Sequence, residues 1–238
     1  MRRAILAWVL SVVITGPALA QGYEKLGRLC YENGNPDQTI EACSAVIAGG
    51  RVDRRDLATA FKNRGNAYDD KGRYARAIQD YDHALAINPD DADAFNNRGT
   101  SRRAIGQYDL AIRDYDQAIR LLPNNAMALN NRCLAKTLAG QPEQGLADCN
   151  ESLRIRPGNA NTLASRGLTY LRLKRYDAAI ADYDAELRVN AGDPYSLFGR
   201  GIAKRMKGDL SGGSADIAVA KAIKSDIAGE MVKLGVEP

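Results

Sequence analysis

The 238-residue chain has a single histidine, His83, which leaves almost nothing for imidazole catalysis or a histidine-ligated metal site. Aromatic residues make up only 6% of it, while alanine, leucine and isoleucine are plentiful, which favours helices over a sandwich or barrel. There is no Cys-x-x-Cys, no Gly-x-x-x-x-Gly-Lys-Ser/Thr loop and no Gly-x-Gly-x-x-Gly, so redox-motif and nucleotide-loop chemistry have no sequence support. Charge of one sign is also scarce: 33 Lys and Arg face 29 Asp and Glu, a net of +4. Nucleic acid is therefore not expected as a partner, since that binding needs a concentrated basic face. Asp90, Asp91 and Asp93 lie close together but lack the alternating ligands and glycine of a calcium loop, and they precede a helix start that favours acids. No metal or cofactor is expected, and no enzyme activity.

The N-terminus is distinctive. Arg2-Arg3 forms a short basic start, Ala4 to Ile14 an apolar run too short to span a bilayer, and Thr15-Gly16-Pro17 a break. Ala18-Leu19-Ala20 then offers small residues for signal peptidase, so residues 1–20 read as a cleavable secretory signal of the general type. Cleavage after Ala20 removes the one tryptophan, Trp8, and leaves a net charge of +2. No later stretch is apolar enough to span a membrane, and the mature chain is expected to be periplasmic or secreted.

The remainder repeats. Arg64, Arg98, Arg132, Arg166 and Arg200 lie 34 residues apart, as do Asp80, Asp114, Asp148, Asp182 and Asp216. Gly65, Gly99, Gly167 and Gly201 keep the same register, with Cys133 in the glycine's place in the middle copy. Each unit reads as two helices: Ala58 to Lys71 ending at Gly72, then Tyr74 to Ile87 with Ala77, Ile78, Tyr81, Ala84 and Leu85 on one face, stopped before Pro89. One hairpin cannot bury its apolar faces alone, so stacked copies are expected to share a core.

The unit Phe61…Gly65…Tyr68…Gly72-x-Tyr74…Ala77…Tyr81…Ala84…Pro89 resembles the tetratricopeptide repeat, and the exported form with Asn-x-Arg-Gly resembles periplasmic repeat proteins of Gram-negative bacteria. That resemblance implies an all-α, right-handed α-solenoid. Its expected parts are a divergent N-terminal hairpin at 21–57, units at 58–91, 92–125, 126–159 and 160–193, a divergent unit at 194–227, and a capping helix with tail at 228–238. It also implies a concave groove for a peptide or protein segment, lined by Lys62, Asn63, Asn66, Asn96, Asn97, Thr100, Arg103, Asn130, Asn131, Leu134, Leu168 and Arg172. Lys62, Asn66 and Asn97 match the family's carboxylate clamp, but Met127 and Asn131 stand where its other basic residues belong. The expected role is a non-catalytic scaffold whose partner the sequence does not name. A self-associating solenoid, hence a homo-oligomer, is the alternative, and a cell-envelope enzyme a more distant one.

In every unit the arginine and the aspartate are 16 residues apart, so the antiparallel hairpin brings them together within or between neighbouring units. A structural ion-pair ladder is expected; a row of recognition arginines is the other reading. Of three possible connectivities, Cys30–Cys43 and Cys133–Cys149 follow from the shared register of the pairs and from an oxidising compartment, against four reduced core thiols. His83 occupies a position held elsewhere by Gln117, Glu151, Ala185 and Val219, which marks an exposed helix face.

Overall fold

The computed structural model describes residues 26–32 and 34–236; residues 1–20, expected to be a secretory signal, lie outside them. Among the described residues every regular element is a helix. A short helix, α1 (26–31), and α2 (Pro36–Gly49) form the first hairpin. Five further pairs follow: α3 (Arg54–Asp70) with α4 (Tyr74–Ile87), α5 (Ala92–Ala104) with α6 (Tyr108–Leu121), and α7 (Ala126–Leu138) with α8 (Pro142–Ile155). Then come α9 (Ala160–Arg172) with α10 (Tyr176–Leu187), α11 (Pro194–Met206) with α12 (Leu210–Ile223), and a last helix, α13 (Ile227–Lys233).

Caps explain the starts. The side chains of Asp91, Asn125, Asn159 and Asp193 each accept the backbone N–H three residues on, and so open α5, α7, α9 and α11. Asp53 does the same for α3, which therefore begins at Arg54, one turn ahead of the Ala58 start expected from the repeat. Between the helices of a pair, Gly72, Gly106, Gly140 and Gly208 adopt positive φ. Lys174 takes that place in the fourth unit, at φ 57°.

The first helices of successive units touch one another, whereas the second helices do not, so α3, α5, α7, α9 and α11 line the inner, concave side. Within a pair, a glycine on the first helix receives a tyrosine ring from the second. A Cβ on Gly65, Gly99 or Gly167 would come within 2.8, 2.7 and 2.8 Å of Tyr81, Tyr115 and Tyr183 respectively. The third unit replaces that contact with a bond: Cys133 and Cys149, whose Cα atoms are 5.4 Å apart, form a disulfide. Cys30–Cys43 bonds α1 to α2, and no described cysteine is free.

The largest apolar cluster lies at the C-terminal end. α13 does not continue the stack. It packs chiefly on α11 and reaches α9, where the Arg172 guanidinium donates to the Leu234 carbonyl at 2.9 Å. Ile227, Met231 and Val236 are buried there with Leu168, Leu171, Phe198 and Ile202.

Candidate concave binding face

An ion-pair ladder between the first and second helices supports the inner face, which itself carries an amide network and a cavity. The ladder comes first, because it fixes the helices. Arg132 donates through Nε and Nη2 to Asp148 (2.8 and 2.5 Å) and through Nη1 to Asp116 of the preceding unit at 2.8 Å. Arg98 likewise links Asp114 to Asp82, Arg166 links Asp182 to Asn150, Arg200 links Asp216 to Asp184, and Arg64 links Asp80 to Ser44. The five carboxylates are buried while the arginines keep partial exposure. Burial alone would raise the Asp216 carboxyl, but hydrogen bonds from Arg200 and Lys204 outweigh it and hold the group below its ordinary range. The repeating arginine thus closes its own hairpin and bolts it to the previous one. The cross-unit partner was not evident in the sequence, although Asp82, Asp116, Asn150 and Asp184 recur at the same 34-residue interval.

The second network runs through amides. Asn131 Nδ2 donates to Asn96 Oδ1 (3.0 Å), Asn96 Nδ2 to Asn97 Oδ1 (3.2 Å), and Asn97 Nδ2 to Asn66 Oδ1 (2.9 Å), which also accepts from the Tyr81 hydroxyl at 2.8 Å. Burial pushes the Tyr81 phenol far up, so it stays a neutral donor. Thr100 Oγ1 shares a hydrogen bond with the Tyr115 hydroxyl at 3.3 Å.

Several expected groove residues have other occupations. Asn96 is only 2% exposed and sits inside the amide chain, not on its surface. Lys62 pairs with Asp91 at 2.8 Å, which neutralises the cation that a carboxylate clamp would need. Asn63 donates to the Cys30 carbonyl at 3.0 Å, so it anchors the N-terminal hairpin. Leu168 is buried beneath the C-terminal segment and Arg172 is held by Leu234, because α13 folds over the inner side of the fourth and fifth units. His83 lies exposed, stacked on Phe61 with ring centroids 4.8 Å apart.

Where α13 crosses, a cavity of about 480 Å³ opens on the concave side. Its walls come from Arg103 of α5, Tyr108 of α6, Leu134 and Leu138 of α7, Leu168 and Ser165 of α9, and Met231 with Leu234 at the C-terminus. Arg103, Leu134 and Leu168 thus share one site, and α13 supplies a wall that the repeat register could not foretell. Asn130 lies nearby in the chain, and its Oδ1 is buried without a partner. Among the described residues no group of three or more metal-ligating side chains is gathered, and no helix is long and apolar enough to cross a membrane.

The tetratricopeptide repeat pattern matches residues 58–91 and 92–125, and a second pattern of that repeat matches 165–223. A comparison with curated protein sequences finds no match. Among solved structures, a tetratricopeptide repeat protein from Parabacteroides merdae superposes with a TM-score of 0.71 at 17% identity, covering 90% of this chain and 88% of that one. Pseudomonas aeruginosa PilF gives 0.67 at 18% identity, over 86% of this chain and 91% of its own. YrrB, described as a TPR protein with an unusual peptide-binding site, gives 0.58 at 18%, over 82% and 97%. With the 34-residue register, the paired helices and these matches in agreement, the chain belongs to the tetratricopeptide repeat family.

Proposed function

We propose that this protein is a non-catalytic interaction scaffold of the bacterial periplasm that holds a peptide or protein segment on its concave face. The observation that carries the reading is the cavity of about 480 Å³, whose wall is rich in aliphatic side chains and which opens beside a row of amides. Apolar pockets with a few placed polar groups are the usual form of a binding site, and amides offer a donor and an acceptor to a peptide backbone. The likeness to YrrB supports the same reading. Two buried disulfides and the basic-apolar-small pattern of residues 1–20 support export.

A photo-crosslinking amino acid placed at Leu138, and separately at His83 on the outer face, tests the site in intact cells. Partner adducts should form from position 138 and disappear when Leu134→Asp is added without loss of helicity. Adducts from position 83 alone, or none from 138, would overturn the groove assignment. Export is tested by sequencing the N-terminus of the periplasmic protein, where Gln21 is expected.

Self-association is favoured by one feature: Val219 and Ile223 of α12 and Val232 of α13 are exposed at the C-terminal end. Light scattering on the native protein and on Val219→Glu/Ile223→Glu distinguishes a dimer through that end from a monomer.

A further inference from the structure

Arg103 is set apart from the other cations of this face. Arg98 and Arg102 of the same helix are bonded to Asp114, Lys62 is paired with Asp91, and Lys233 with Glu230. No described carboxylate lies within ion-pairing distance of the Arg103 guanidinium, and its Nε is shut off from solvent with no hydrogen-bond partner. The Tyr115 hydroxyl is its polar neighbour; Asp69, the carboxylate across from it, accepts from Ser101 Oγ at 2.6 Å. Among the equivalent positions of the five units (Asp69, Arg103, Thr137, Leu171, Arg205), the second unit alone turns a cation into this cavity.

A buried donor without an acceptor costs free energy, and a guanidinium fork matches a carboxylate in two parallel hydrogen bonds. The wall around Arg103 carries Leu134, Leu138 and Leu168, and the other two charged side chains that line the cavity, Glu230 and Lys233, are paired with each other at 2.9 Å. The site therefore complements an anion carried on an apolar body. We propose that Arg103 is the specificity-determining residue of the cavity, and that the ligand is an acidic, aliphatic peptide whose carboxylate lies on Arg103 while a neighbouring aliphatic side chain fills the space between α7 and α9. This rests on the concave-face reading given above, and it differs from the family's clamp, whose positions here are Lys62, Asn66 and Asn97 with Met127 and Asn131.

The test is selection from a randomised octapeptide library displayed on phage, run against the full mature protein and against Arg103→Gln. Peptides selected by the native protein should place Asp, Glu or a free C-terminal carboxylate next to Leu, Ile, Val or Phe. A synthetic peptide of the selected sequence should bind at least about tenfold more weakly to Arg103→Gln. It should lose as much when its acid is changed to the amide, and the two changes together should cost little more than either alone. The amide peptide keeps the test independent of how the variant folds. Selected peptides without an acidic preference, or affinities indifferent to Arg103→Gln, would remove the anion subsite while leaving groove binding standing. Failure to enrich any peptide would remove both.

Discussion

Every ladder arginine bonds the aspartate of its own hairpin, yet that carboxylate is not equally supported in each unit. Asp114, Asp148 and Asp216 receive a second cation, from Arg102 (2.8 Å), Lys136 (2.8 Å) and Lys204 (2.9 Å). Four residues after the arginine, the first and fourth units instead carry Tyr68 and Tyr170, so Arg166 is the only cation bonded to Asp182 among the described residues. Removing one member of a buried pair strands the other, at a cost of about 3–5 kcal/mol. Arg166→Ala should lose that much in urea unfolding, whereas Arg132→Ala should lose less by ~1–2 kcal/mol, because Lys136 still meets Asp148. Equal losses would show that the lysine contributes nothing. Glu186 presents the opposite electrostatic case. It is 3% exposed, one of its oxygens has no partner, and burial above all raises its carboxyl, with Asp193 adding to the rise and Ser196 opposing it. A raised carboxyl costs stability once ionised, and that cost vanishes below the ordinary value of 4.5. Glu186→Gln should therefore melt higher than the native protein at pH 7, and the difference should shrink to nothing as pH falls below 4.5.

Helix pairs are spaced by what lies between them. In the first, second and fourth units a tyrosine fills the gap and Ala77, Ala111 and Ala179 stand one turn before it. Cys149 and Ile217 are smaller than tyrosine, and there the corresponding residues are Gly145 and Gly213. A Cβ on Gly145 would lie 2.7 Å from the Cys133 carbonyl, and one on Gly213 2.5 Å from the Gly201 carbonyl, so these two pairs close more tightly at that point. Backbone cannot yield as a side-chain tip can. Gly145→Ala alone should cost about 1–3 kcal/mol by overpacking. The triple change Cys133→Gly, Gly145→Ala, Cys149→Tyr rewrites the third unit in the pattern of the second, and it should recover most of that loss. Thermal melts with and without reductant check both claims; a triple variant no more stable than Gly145→Ala would show that spacing is set elsewhere.

Features that recur every 34 residues could be read without coordinates, because each depends only on its own unit and the next. Arg64 and Asp80, the glycine opposite Tyr81 and the register of Cys133 with Cys149 are of this kind. The inner face was read less well. Whether Asn96 or Asn97 turns inward depends on hydrogen bonds that three units make together, and the cover over Leu168 depends on α13 leaving the repeat geometry altogether. The same departure distributes stability unevenly. A continuous apolar cluster runs from Leu168 to Val236, while the N-terminal cluster is Cys30, Ala42, Cys43, Val46 and Ala60. A solenoid's stability is a sum of unit and interface terms, so its ends can open separately. α1 is too short to be helical alone, and it is held by the Cys30–Cys43 bond and by Asn63 on the Cys30 carbonyl. Closing a loop of that size contributes about 3 kcal/mol in the chain-entropy view. Amide hydrogen exchange should then be slowest in α9 and α11, and reductant should speed exchange in α1 and α2 well before it reaches them. Uniform acceleration along the chain would mean that the solenoid opens as one unit, and that α13 locks the whole molecule and not only the end it covers.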